Sequence, residues 1–183
     1  MNIRNRILSV YKGETPDVVP YMLAKSPAEI IIMGDNFSSD IQPPSFFNKW
    51  SRSFYVEAIR RLHAAGKYVA VHIDGRLHQA LSMIRDTGAD CSDATTPLPM
   101  GDLTPEQCRK EAGPDFILSG GVSPDLWLPE ASIEDFKKAV IGWLDLKKYG
   151  PRLIANAGDQ VPPGAVEERI KIMRDLVEKY GRY

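Results

Sequence analysis

The chain has 183 residues, 43% hydrophobic and 26% charged, the profile of one globular domain, residues 1–183, with apolar material for a single core. Lys and Arg number 23 against 24 Asp and Glu, so no net field draws the molecule to nucleic acid or to an acidic membrane surface. Cys91 and Cys108 form neither a disulfide framework nor a CxxC or zinc-finger spacing, and no run approaches the ~20 apolar residues of a membrane span. Residues 1–10 mix Arg with Ile and Leu in place of a signal-peptide block, so a reducing cytoplasm is the expected setting.

Ile3, Ile7, Leu8 and Tyr11 recur at helical spacing and Gly13 supplies a stop, which predicts a starter helix over residues 3–12. Residues 18–23 are an apolar run that reads as a strand despite Pro20. Ile30-Ile31-Ile32-Met33 is a buried strand by its unbroken apolar character, closed by Gly34-Asp35-Asn36. Pro43-Pro44-Ser45 opens a helix to about Ala65, with Phe46, Phe47, Trp50, Phe54, Ile59 and Leu62 as the stripe expected to face the core. A strand over 68–71, a helix over 77–87 and a strand over 90–94 follow, then a proline-rich loop, 95–102, long enough to be functional.

Thr104-Pro105-Glu106-Gln107 carries the pattern of a capping box with proline in the first turn, predicting a helix to Ala112. Residues 116–118 form the next strand, ended by Gly120-Gly121. Ser132 caps a helix to Lys148, Gly150-Pro151 breaks it, 153–155 is the last strand, and 165–180 the closing helix. Strands alternate with helices five times after Glu29, and the leading pair adds a sixth. The fold class is therefore α/β: TIM-barrel-like parallel βα repeats of about five to six units. A closed eight-stranded barrel normally takes ~250 residues, so this one is incomplete, open, or completed by another copy.

In such a sheet the residues just after each strand gather on one rim. Here they are Asp35-Asn36, His72-Ile73-Asp74-Gly75, Asp93, Gly120-Gly121 and Asn156-Ala157-Gly158-Asp159. His72 and Asp74 are two residues apart, so an extended chain turns both to one side. With Asp35 or Asp159 they form a nitrogen-and-oxygen ligand set for a divalent metal, or a histidine with a carboxylate orienter for acid–base work. The competing reading is structural: His72 donating to a backbone carbonyl, Asp74 capping the turn before Leu77, and Asp35-Asn36 forming a turn pair. Gly120 and Gly121 leave room for a substrate against the backbone, or serve a tight turn. Asn36, and Met100 in the 97–103 loop, complete the substrate-binding set. His63, His78, Trp127, Trp143 and both cysteines read as surface or packing residues.

Several segments together resemble one family. They are NIRNRILSVYKGETPDVVP (2–20), MGDNFSSDIQPPSFFNKW (33–50), GKYVAVHIDGRL (66–77), TPLPMGDLTPEQCRKEAG (96–113), LSGGVSP (118–124) and AGDQVPP (157–163). In combination they are similar to the uroporphyrinogen decarboxylase superfamily. The resemblance implies a (β/α)8 barrel that either decarboxylates porphyrinogen acetate groups without a cofactor or, in a methyltransferase branch, uses zinc to activate a thiol for methyl exchange with a corrinoid. The interval between Pro20 and Ile30 is short, as though the second and third βα units were missing. Nothing matches the family's carboxylate-gripping arginines or its decarboxylation aspartate. The methyltransferase branch carries His-x-Cys-Gly where this chain has His72-Ile73-Asp74-Gly75, and a second cysteine near Asp159. His72 thus carries over, while Asp74 and Asp159 replace thiolates with harder oxygen donors suited to zinc or another divalent ion.

Three functions follow as expectations. The first is a metal-assisted methyltransferase-type enzyme with His72 and Asp74 catalytic, His72, Asp74, Asp35 and Asp159 as metal ligands, a small-molecule substrate and a corrinoid partner. The second is a cofactor-free porphyrinogen carboxy-lyase, and the third a non-catalytic shortened-barrel binding or assembly module. Homo-oligomerisation covering open strand edges is expected under all three.

Overall fold

The structure, a computed structural model, describes Lys12 and residues 25–183; the side chains of Asp35 and Asn36 fall outside that description, as do the starter helix, apart from Lys12, and the first strand expected from the sequence. The described chain forms five strands: β1 (Ile30–Phe37), β2 (Tyr68–Ile73), β3 (Cys91–Thr95), β4 (Ile117–Val122) and β5 (Leu153–Ala157). They lie side by side in the order of the sequence, every neighbouring pair parallel. The connecting helices are α1 (Arg52–Ala64), α2 (Ala80–Arg85), α3 (Pro105–Ala112) and α4 (Ile133–Leu144), with α5 (Glu168–Tyr180) after β5. This is the repeating βα pattern expected from the sequence. Among the described residues β1 and β5 do not meet, so the sheet is an open part of a barrel.

Alternation along the strands separates two faces. Ile31, Val69, Val71, Ile73 and Leu118 point toward the helices and join Ile59, Leu62, Leu81, Ile84 and Trp143 in the main core. A second cluster, Val122, Trp127, Phe136, Val140, Leu144 and Met173, packs α4 and α5 at the far end of the sheet. The other, concave face carries Ile30 and Ile32 on β1, Tyr68, Ala70 and His72 on β2, Asp93 on β3, Ser119 on β4 and Ile154 and Asn156 on β5. Ile30, Ile32, Tyr68 and Ile154 stand 49–63% exposed there, where a closed barrel would bury them in side-chain layers.

Several elements run further than the apolar pattern indicates. β1 continues through Gly34, Asp35 and Asn36 to Phe37, with its register against β2 shifting between Met33 and Phe37. β2 includes His72 and Ile73, and β4 continues through both glycines to Val122. α2 starts only at Ala80, which leaves 74–79 as a longer rim loop than expected and puts His78 in it. The capping box at Thr104 and Gln107 forms, and Ser132 accepts from Asp135 N as the cap of α4.

The helix after β1 departs most from expectation. A turn, Pro44–Phe46, passes through a π-helical stretch, Phe47–Ser51, into α1. Its buried side is Phe47, Tyr55, Ile59 and Leu62, whereas Phe46, Trp50 and Phe54 are 47%, 62% and 63% exposed. The second stripe lies one residue, about 100° of helix, from the first. Continued along α1 it meets Glu57 and Arg61, an ion pair of 2.6 Å that belongs in water, so the stripe ending in Ile59 and Leu62 takes the core. Phe46, Trp50 and Phe54 are therefore surface residues, against the expectation for them.

Candidate functional site

At the carboxyl ends of the strands a small cleft of about 70 Å³ is lined by Asp74, Gly75, Thr96, Met100, Pro124 and Asp159. Four rim loops contribute to it, those after β2, β3, β4 and β5. Thr96 Oγ1 donates to the carbonyl of Gly158, which ties the loop after β3 to the one carrying Asp159. The hydrogen bond from Leu98 N to Leu103 O, 2.8 Å, pinches the loop bearing Met100 closed on itself.

His72 is the best-defined group here. It sits near the end of β2, half-buried, with Nδ1 2.8 Å from the carbonyl oxygen of Asp93 on β3. A carbonyl only accepts, so Nδ1 carries the hydrogen and Nε2 presents its lone pair. Nε2 faces Asp159 Oδ1 across 4.0 Å. Asp74 follows β2 directly, its N–H donating to Phe37 O at 2.9 Å. Its carboxylate does not cap the next turn: Asp102 does, accepting from Leu77 N at 2.8 Å and His78 N at 3.2 Å. Asp74 is left exposed at the cleft.

Asp74, Asp159 and Met100 thus line the cleft together, and His72 reaches it through its 4.0 Å approach to Asp159 without being one of the lining residues. Asp35 and Asn36 occupy the end of β1, and only their main chain is described. Gly120 and Gly121 do not line the cleft. Both are buried in β4 at positive φ, and a Cβ at Gly120 would lie 2.3 Å from Thr95 O, one at Gly121 2.2 Å from the Trp143 ring. Protein fills the space a side chain would take at both positions, so close packing gives each a reason to be glycine. His63 pairs with Asp90 at 2.9 Å and His78 with Glu111 at 3.3 Å. Cys91 and Cys108 are free and buried, and desolvation pushes both thiols up to about 12.

One imidazole nitrogen and carboxylate oxygens are donors that zinc and similar ions accept. Zinc–nitrogen and zinc–oxygen bonds of about 2.0–2.2 Å in a tetrahedron put two donors roughly 3.4 Å apart. His72 and Asp159 stand near that separation, at 4.0 Å. Among the described residues no three His, Cys, Asp or Glu side chains converge closely enough to hold an ion as they stand. The donor chemistry suits a cation, and closure requires Asp159 to approach by about half an ångström and a further carboxylate to swing in.

Larger hollows open elsewhere. One of about 440 Å³, lined by Glu106, Arg109, Lys110, Gly113, Pro114 and Tyr149, lies at the strands' amino-terminal end. It faces the carboxyl terminus of α3, whose carbonyls disfavour an anion. It gathers no nucleophile, base or ligand set.

The strand-end pattern of the sequence points to His72, Asp74 and Asp159, which the structure places at this rim, and carries no signal for Thr96, Asp102, Pro124 or the side chain of Ser119. Ser119 and Asn156 were detectable as polar residues at concave-face positions once β4 and β5 are taken to their full length.

An open run of parallel βα units with a polar mouth defines a TIM-type barrel fragment. The sequence matches the family profile Uroporphyrinogen decarboxylase (URO-D) over residues 21–180, and the chain belongs to that family. Among solved structures it is similar to a methyltransferase from Methanosarcina mazei, with a TM-score of 0.69 at 19% identity over 86% of this chain and 44% of that one. The chain therefore spans less than half the length of that neighbour, and the likeness is one of fold. A citrate synthase, SbnG, shares 12% identity over 88% of this chain and 70% of its own, at a TM-score of 0.49. No curated protein matches. Among the described residues no helix is long and apolar enough to cross a membrane.

Proposed function

We propose that the chain works as a metal-assisted, methyltransferase-type member of its family, acting on a small molecule at the cleft. His72 and Asp159 are the core of the ion site and Asp74 and Asp35 the further donors. The observation that supports this most is the His72 ring. Its Nδ1–H is committed to the Asp93 carbonyl and its Nε2 is turned to a carboxylate, the arrangement that holds a histidine ready as a ligand. A divalent ion, when bound, supplies Lewis acidity that favours a thiolate over a thiol as nucleophile.

The chain's own residues hold and shield the site. Asp74 and Asp159 place negative charge where a cation is needed, Thr96 braces the Asp159 loop through Gly158, and Met100 supplies an apolar side to the cleft for a substrate. A corrinoid-bearing partner fits the methyl-transfer reading. A second copy of the chain would cover the open edges and the exposed Ile30, Ile32 and Tyr68. The buried free thiols fit a reducing cytoplasm. A porphyrinogen carboxy-lyase is disfavoured by charge: among the described residues the cleft is lined by carboxylates and no cation, and the nearby Arg76 lies 3.9 Å from Asp40.

Calorimetric titration with zinc, manganese and cobalt(II) tests the reading. One ion per chain is expected, with binding abolished by His72→Ala and weakened at least tenfold by Asp159→Asn. Absence of binding for all three ions removes the metal site, and a monodisperse monomer in light scattering removes the second copy.

A further inference from the structure

The concave face carries a row of hydrogen bonds that runs across four strands and ends on His72. Asn156 on β5 donates from Nδ2 to Ser119 Oγ on β4 at 2.9 Å. Ser119 donates from Oγ to Asp93 Oδ1 on β3, also at 2.9 Å. The carbonyl of Asp93 then takes the Nδ1–H of His72 on β2 at 2.8 Å.

Chemistry fixes the direction of this row. An amide nitrogen can only donate, so Asn156 occupies a lone pair of the Ser119 hydroxyl. The one hydroxyl hydrogen is then free for the carboxylate, which can only accept. Ser119 is 4% exposed, so water competes poorly for either bond.

The backbone shows why Asp93 needs side-chain tethering. The β2–β3 ladder ends at the Val71–Ser92 pair, one residue short of Asp93. On the other side, the β3–β4 register shifts between Asp93 and Thr95. The carbonyl that orients His72 therefore lies where regular sheet pairing runs out on one edge and becomes irregular on the other. The grip of Ser119 on the Asp93 carboxylate adds to the β3–β4 pairing of the same two residues, the last regular pair before the shift, and holds Asp93 on the concave face.

We propose that Ser119 and Asn156 are positioning residues for His72: through Asp93 they hold its ring in the Nδ1–H tautomer, with Nε2 turned to the cleft. This rests on His72 being the working donor of the proposed site. Neither residue touches the cleft, so their effect on any reaction passes through the imidazole.

The test uses the full chain, free of metal, with imidazole nitrogens observed by long-range nitrogen–proton NMR at fixed pH. His72 is assigned against His63→Gln and His78→Gln, the other two histidines of the sequence. The parent is expected to show a single Nδ1–H form. Ser119→Ala removes the link, and Asn156→Asp keeps the shape while converting the donor to an acceptor that draws the hydroxyl hydrogen away from Asp93. Both are expected to give a mixture of tautomers and a roughly ten- to hundredfold loss in zinc affinity, while Ser119→Thr, which retains the hydroxyl, stays with the parent. If Ser119→Ala and Asn156→Asp both keep a pure Nδ1–H ring, or if Ser119→Thr is as perturbed as Ser119→Ala, the row is only packing and the proposal is overturned. Zinc failing to bind the parent removes the metal reading, while the tautomer measurement still decides the positioning role.

Discussion

Adding one methyl group at Gly121 and at Gly142, 21 residues apart on packed elements, is expected to have opposite effects. Gly121 lies in β4 at φ +107°, and its added Cβ would fall 2.2 Å from Trp143 Cγ and Cδ2, with the indole fully buried. The positive φ alone costs about 1–3 kcal/mol for a residue with a side chain. Displacing a packed core ring adds about 1–3 kcal/mol, and the stiffer unfolded chain returns about 0.4–1 kcal/mol. The net loss for Gly121→Ala is about 1–5.5 kcal/mol, at its upper end a large share of the 5–15 kcal/mol typical of a domain. Gly142 is in α4, beside Trp143 in sequence, yet a Cβ there meets nothing within 4 Å. Gly142→Ala is expected to stabilise by up to about 1 kcal/mol through helix propensity. Equilibrium urea unfolding followed by tryptophan fluorescence reads both. With a slope of about 2 kcal/mol/M, the Gly121→Ala midpoint falls by roughly 0.5–2.7 M while that of Gly142→Ala rises slightly. A Gly121→Ala midpoint within about 0.3 M of the parent would show that the indole does not pack against Gly121 and that this glycine is free for some other role.

Two further outcomes follow from buried groups. The thiols of Cys91 and Cys108 shift from the ordinary 9.0 to about 12 through desolvation. Between those values each ionises in the unfolded chain and not in the folded one, so stability is expected to fall as pH rises from about 9 toward 12; a flat urea midpoint over that range contradicts it, and Cys91→Ala with Cys108→Ala should flatten it. Arg169 is 4% exposed, donates to the carbonyls of Leu126 and Ala131 and lies 5.6 Å from the Phe136 ring centre. Arg169→Ala is expected to cost about 2–4 kcal/mol and to speed hydrogen exchange across residues 123–132, and unchanged exchange there would mean the guanidinium does not brace the loop.

The parallel βα order was legible because β1 and β2 carry unbroken apolar runs, β4 and β5 shorter ones, and the connections carry stops or caps with a physical mechanism, as at Thr104 and Ser132; β3, Cys91–Thr95, has no such run. Strand ends were not, because polar residues at a barrel rim remain in the extended chain while facing the mouth. That is why His72 lies inside β2, and β4 likewise runs on through Gly120 and Gly121. In the helix after β1, the expected stripe joins residues of two helical faces about 100° apart, and the charges at Glu57 and Arg61 mark which of the two meets solvent. Within the site, His72, Asp74 and Asp159 were readable from topology alone. The Asp93–Ser119–Asn156 row needed cross-strand register, which no single strand reveals.

Asp102 ties two neighbouring repeats at the mouth. Its single Oδ1 accepts from Leu77 and His78, so the segment carrying Met100 is riveted to the loop after β2, in the preceding repeat. Shortening or grafting the 97–103 loop therefore cannot be treated as a local edit: it would release two amides in the unit before it and loosen the chain just beyond His72. Any redesign of the mouth must keep Asp102 or supply another acceptor at that point.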